Sequence, residues 1–106
     1  MGKKYPDLSG NGPFGVDLVT PVATQGTITT GGTAQSAIAA NPQRREVTII
    51  NNSVGDLWVN PLGVAGPAGL NGSSLISAGA RKEEELTSAI SIFGATTGQA
   101  FTVVEE

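Results

Sequence analysis

The apolar residues of this chain come in short runs of period two, and glycine, proline or asparagine breaks each run within a few residues. No long stretch carries helical period, so the chain is limited to a fold made of many short strands. The clearest example is Arg44 to Gly63, RREVTIINNSVGDLWVNPLG. Val47 and Ile49 alternate with Thr48 and Ile50. Asn51, Asn52, Ser53, Gly55 and Asp56 form a polar turn. Leu57, Trp58 and Val59 resume the run, and Pro61 ends it because proline cannot donate to a sheet ladder. This stretch reads as a β-hairpin. Trp58 is the only tryptophan and the largest apolar surface available, so the core or an interface is expected to form around it.

With 106 residues the chain is long enough for one small domain. Such a domain buries only about 60–70% of its unfolded-chain surface. There is no cysteine, so disulfides cannot supplement the core, and association between copies is the common remaining source of stability. The net charge is −3, and Lys3-Lys4 and Arg44-Arg45 lie far apart, which argues against direct nucleic-acid binding. No apolar run approaches the roughly 20 residues that span a bilayer, so no membrane partner is expected. The basic start MGKK is not followed by an apolar h-region, which points to synthesis and assembly in a cytoplasm.

Residues 1–32 read as an extended N-terminal arm. Pro6, Pro13, Pro21, Gly10, Gly12 and Gly15 are too dense for regular structure, yet Tyr5, Leu8, Phe14, Val16, Leu18, Val19 and Val22 are too many apolar residues for a solvating tail. A partner, either a neighbouring subunit or the arm's own domain, is expected to order it. Residues 33–106 read as the folded domain. TAQSAIAA (33–40) suits a strand, because Asn41-Pro42 stops it and residues before proline avoid the helical region. Glycine stands at 63, 66, 69 and 72, formally a collagen-like period, but three triplets read better as a glycine-rich loop. Leu75-Ile76 marks another strand and Ala78-Gly79-Ala80 a turn. RKEEE (81–85) reads as an exposed, charged edge strand. AISIF (89–93) and the alternation of Phe101 with Val103 supply the last strands, with GATTG turning between them. Six or seven short strands without helices predict an all-β fold, a small β-sandwich or jelly roll with an extended N-terminal arm.

Chemistry is hard to place in this sequence. There is no histidine, which removes the usual proton-transfer residue at neutral pH and any Ser-His-Asp triad. Glu83 to Glu85 could be invoked for glycoside cleavage but read more simply as a solvated face. Gly10 to Gly15 spells G-x-G-x-x-G, but lacks the preceding strand and following helix that dinucleotide binding requires. Asp56 lacks the alternating carboxylates of a calcium loop. Neither catalytic residues, nor a cofactor, nor a metal is expected, and the chain is not expected to be an enzyme. Trp58 shares a strand face with Asn60, opposite Leu57 and Val59, and could stack on a sugar or pack in an interface.

The series Ala39-Ala40-Asn41-Pro42-Gln43-Arg44-Arg45, then Val47 to Ser53, then Asp56-Leu57-Trp58-Val59-Asn60 resembles a small β-domain of tailed-bacteriophage virion proteins. In that domain an A-A-N-P-x-R segment leads into a strand ending in N-N-S and then a D-[LI]-[WY]-[VI]-N strand. A glycine-rich loop and closing strands like AISIFGATTGQAFTVVEE follow. The resemblance covers about residues 34–106 and departs at Ala78-Gly79-Ala80-Arg81, where a P-G-E-like turn is expected. It implies a non-enzymatic structural protein located on the capsid surface of a virion. Its partners would be the major capsid protein and copies of itself, as a trimer rather than a dimer. A decoration or cement role on the capsid leads. A head-fibre base, collar or tail component with receptor contact, or a carbohydrate-binding module, is the alternative. Tyr5, Phe14, Leu18, Val22 and Trp58 are the expected interface anchors.

Overall fold

A computed structural model of the chain describes residues 21–106. It contains eight strands: β1 Val22–Thr27, β2 Gln35–Ile38, β3 Val47–Asn51, β4 Leu57–Asn60, β5 Ser74–Ile76, β6 Arg81–Glu84, β7 Ile90–Gly94 and β8 Ala100–Glu105. They form two four-stranded antiparallel sheets, ordered β1-β8-β3-β6 and β2-β7-β4-β5. The first strand pairs with the last, the second with the seventh, the third with the sixth and the fourth with the fifth. This nesting is the jelly-roll form of a β-sandwich.

The core follows from period two. Val47, Ile49, Leu57, Val59, Ile90, Ile92, Phe101 and Val103 are all buried, and they alternate with half-buried neighbours along their strands. Ile28 and Ile76 complete it. Each such aliphatic side chain contributes about 1.5–3 kcal/mol by leaving water. Trp58 takes no part. It lies half-buried on the outer face of its sheet, so the expectation of a core built around it is corrected.

Two further expectations change. Arg44–Gly63 is not a hairpin, because β3 pairs with β6 and β8 while β4 pairs with β5 and β7. The turn carries the chain from one sheet to the other, so Val47/Ile49 and Leu57/Val59 meet across the core rather than side by side. Asn51 fixes this crossing. Its buried amide donates to the carbonyls of Gly55 and Ile76, both at 2.8 Å, and its oxygen accepts from Ser53 N and Oγ.

The second change concerns the arm. Val22–Thr27 is a strand paired along its length with β8, and Ile28 is in the core. Gly26 sits opposite Phe101, and a Cβ there would lie 2.6 Å from the ring. Glycine is what lets the ring cover the strand. The rest of the expected arm, residues 1–20, lies outside the described residues.

Arg44 closes one end of the sandwich. It is buried, and its guanidinium donates to the carbonyls of Ala39, Leu86 and Ser88 and to Glu105 Oε2 at 2.9 Å. One side chain thus ties the end of β2, the loop before β7 and the end of β8. At the opposite end, Gln99 donates to Ser53 Oγ and Asp56 O and accepts from Thr96 N.

Candidate interface surface

The two sheets present different outer faces. On β1-β8-β3-β6 the outward positions include Gln25, Thr48, Ile50, Arg81, Glu83, Thr102 and Val104, which neighbour one another across the strands. This face is mixed and mainly polar. β6 forms one edge, where its unbroken run of charged residues discourages pairing with another chain, as the sequence predicts. Lys82 and Glu84 on this strand approach to 3.7 Å. Nearby, partial burial and then the carboxylates of Glu83, Glu106 and Glu85 hold the Glu46 carboxyl above its ordinary value.

On β2-β7-β4-β5, Trp58 stands between Phe93 of β7 and Leu75 of β5 in register. Direct cross-strand neighbours of this kind contribute about 0.2–1 kcal/mol each. The next outward residue of β4, Asn60, is 1% exposed because the Pro61–Gly72 loop folds over it. Asn60 Oδ1 accepts from Leu62 N at 2.8 Å and Gly63 N at 3.1 Å, and its Nδ2 donates to Asn71 O at 2.9 Å. Ser73 Oγ accepts from Gly66 N and donates to Leu70 O. Ser91 Oγ of β7 accepts from Ala65 N. The expected glycine-rich loop is present. It contains two short 3-10 turns, with Ala68, Gly69, Asn71 and Gly72 at positive φ, and these four residues break the continuous extended backbone that a collagen strand needs.

The loop is held by polar atoms and turns its large apolar side chains outward, while the small Ala65 is buried. Leu62 is 87% exposed, Val64 61% and Leu70 53%, and Leu75 on the neighbouring strand is 46% exposed. Beside Leu62 and Val64 runs a groove of about 510 Å³, which Ala34 and Ser36 border on the β2 side, with Ala89 and Ser91 between the two walls. None of its described lining residues is charged.

Of the anchors expected from sequence, Trp58 is on this face beside Phe93 and Leu75. Val22 lies elsewhere, on β1 opposite Glu105, 55% exposed. Tyr5, Phe14 and Leu18 lie outside the described residues. Sequence reading missed Leu62, Val64, Leu70 and Leu75. A signal existed, since these leucines and this valine stand in or next to a glycine-rich loop that offers them no strand to pack under. Among the described residues no group of His, Cys, Asp or Glu is arranged to hold a metal, and no helix is long and apolar enough to cross a membrane. Comparison of the chain with protein-family models, with curated proteins and with solved structures finds no match.

Proposed function

We propose that this chain is a non-enzymatic structural protein of a tailed-phage virion, a decoration or cement protein that binds the outer capsid surface and bridges neighbouring capsid subunits. Its partners would be the major capsid protein and further copies of itself, assembled in the host cytoplasm. The observation that carries this reading is the exposure of Leu62, Val64, Leu70 and Leu75 on or beside one roofed sheet face. Large apolar side chains gathered on one side of a small domain mark a docking surface. The jelly roll recurs in viral capsid domains, which supports the reading by analogy of fold, as does the sequence resemblance. Contacts made across a capsid joint add to those between capsid subunits and so oppose the outward pressure of packaged DNA.

Quantitative mass spectrometry of purified particles tests the proposal. A copy number comparable to the major capsid protein is expected, together with binding to empty shells and a rise in their thermal tolerance. A few copies per particle would move the protein to the neck, collar, fibre base or tail, and absence from particles would overturn the virion reading. The half-exposed Trp58 beside Phe93 favours one other reading, a glycan platform, since jelly rolls also serve in lectins. Iodide quenching of Trp58 fluorescence that weakens on adding oligosaccharide would support it.

A further inference from the structure

We propose that the free edge of β1 pairs antiparallel with β1 of a second copy of this chain, about a two-fold axis at Thr24, and that each copy's Val22 enters the hollow beside the other's Gly26. The inference rests on the self-association part of the proposed function and not on its virion part.

The sheet edges differ in how they are guarded. β6 is Arg81, Lys82, Glu83 and Glu84, β5 is three residues long, and β2 is four long with a register shift between Ser36 and Ile38. Charge, shortness and irregularity are what keep an edge from pairing with another chain. β1 has none of them. It runs six residues, VATQGT, in unbroken register with β8 and without a charge, and among the described residues no strand lies on its other side.

The hydrogen bonds show which backbone groups are open. Ile28 N donates to Gln99 O at 2.9 Å and Ile28 O accepts from Gly98 N at 2.8 Å, so Ile28 faces β8. Strand alternation turns Val22, Thr24 and Gly26 the same way, and turns Ala23, Gln25 and Thr27 toward the free edge. Gln35 Nε2 donates to Thr27 O at 2.9 Å and Gln35 Oε1 accepts from Thr29 N at 2.8 Å, so a side chain already fills the edge beyond Thr27. The N–H and C=O of Ala23 and Gln25 are left. In an antiparallel pair centred on Thr24, Ala23 stands opposite the second copy's Gln25, and the two exchange N–H to C=O bonds. The same register sets Thr27, blocked by Gln35, against Pro21, which has no N–H to give. Both copies therefore stop pairing at the same place.

The hollow points to a second copy as the occupant. It lies between β1 and β2, has a volume of about 140 Å³, and is lined by Thr24, Gly26, Ala37 and Phe101 among other uncharged residues. Pairing about Thr24 places the second copy's Val22 opposite Gly26, on the side of the strand that Phe101 covers. Val22 is 55% exposed in the single chain. One strand thus carries both an exposed apolar side chain and the space for it, and a two-fold contact matches both at once. Within one chain the two sites are about 13 Å apart, at about 3.3 Å per residue, so Val22 cannot fill its own chain's hollow. A two-fold axis also sets like against like, which uncharged β1 tolerates. A tight hairpin laying the preceding residues back along β1 would take glycine, asparagine or aspartate at positions 20 and 21, where the chain has Thr and Pro. The contact makes a dimer, and a trimer would need a different surface.

The absence of native cysteine allows a direct test on the full chain. Thr24 meets itself at the axis, where Cα atoms lie about 4.5 Å apart, within disulfide reach. Under mild oxidation T24C should form a disulfide-linked dimer at least tenfold faster than V54C, a fully exposed position away from β1. Equal rates would overturn the proposal. Sedimentation equilibrium gives a second readout. Q25P removes only a donor that faces the free edge, which edge strands accept. It should weaken self-association at least tenfold and keep the parent's circular dichroism, and L62D should leave association unchanged. Association lost in L62D and kept in Q25P would overturn this contact while leaving self-association standing. A wild-type chain that stays monomeric throughout the concentration range would overturn both. Slow amide exchange at Ala23 and Gln25 in a dilute, monomeric sample would show that the chain's own preceding segment covers the edge, and would overturn the proposal.

Discussion

The outer faces of the two sheets come from the same alternating pattern but serve opposite ends. On β1-β8-β3-β6 the outward residues are mostly threonine, glutamine and charged side chains, and strand-to-strand hydrogen bonding leaves them in water. On β2-β7-β4-β5 the outward residues of β4 are Trp58 and Asn60, and an irregular loop is tied down over the second of them. The difference shows how a small chain can present apolar surface and stay ordered. A polar hub buried under the loop fixes its backbone, and leucine and valine can then point outward without being needed for stability. Satisfied polar groups hold the loop in place, and its apolar groups remain free for a partner.

The strongest way to break this contrast is Asn60→Ala. It leaves the Leu62 and Gly63 amides and the Asn71 carbonyl, all part-buried, without their partner, and an orphaned group costs about 1–3 kcal/mol where water does not reach it. Denaturant unfolding should show a loss of at least about 2 kcal/mol, with hydrogen exchange faster in residues 61–72 than in β8. Trp58→Ala comes next. It removes two cross-strand pairings, to Phe93 and Leu75, for about 0.4–2 kcal/mol by thermal melting, and it should weaken shell binding by more than that loss of stability accounts for.

Glu46→Gln sharpens the contrast from the polar side. The raised Glu46 pKa means that the folded state holds its proton more tightly than the unfolded chain. The stability tied to that proton is complete below the ordinary carboxylate range and is lost as pH rises through the folded value. The variant should therefore melt higher than the parent at neutral pH and lose that advantage in acid. Thr48→Lys, in the middle of the polar face, should change stability by no more than about 0.5 kcal/mol and leave shell binding intact. A large loss of binding there would show that the partner covers both faces.

Most of the strands were legible because burial on one side writes itself as alternation: Ile90/Ile92 and Phe101/Val103 are buried as their spacing predicts, and Arg81–Glu84 is a charged edge. The crossing between β3 and β4 was not legible. Two apolar runs around a short polar turn describe a hairpin and a sheet-to-sheet arch equally well, and the choice rests on pairings with residues 81–105, far along the chain. Asn51 carried a partial hint, since a polar residue in register with Val47 and Ile49 must find partners inside, which the turn supplies. β1 was hidden by Gly26, whose place in a strand makes sense only once Phe101 lies across it. The apolar face of the Pro61–Gly72 loop was hidden for a similar reason: loop residues have no period from which to read a facing direction.

The pairing of β1 with β8 also sets when this protein can fold. β8 lies between β1 and β3, so a chain still emerging from the ribosome and lacking Ala100–Glu105 has no continuous first sheet and leaves Ile28, Val47 and Ile49 without the strand that joins their two sides. Folding must await synthesis of the last strand and then close contacts spanning most of the sequence, which places it among the slower topologies, in the millisecond-to-second range. During that interval the unpaired β1 and β3 edges are open to other nascent copies of the same chain, the pairing that β8 forecloses once it is in place.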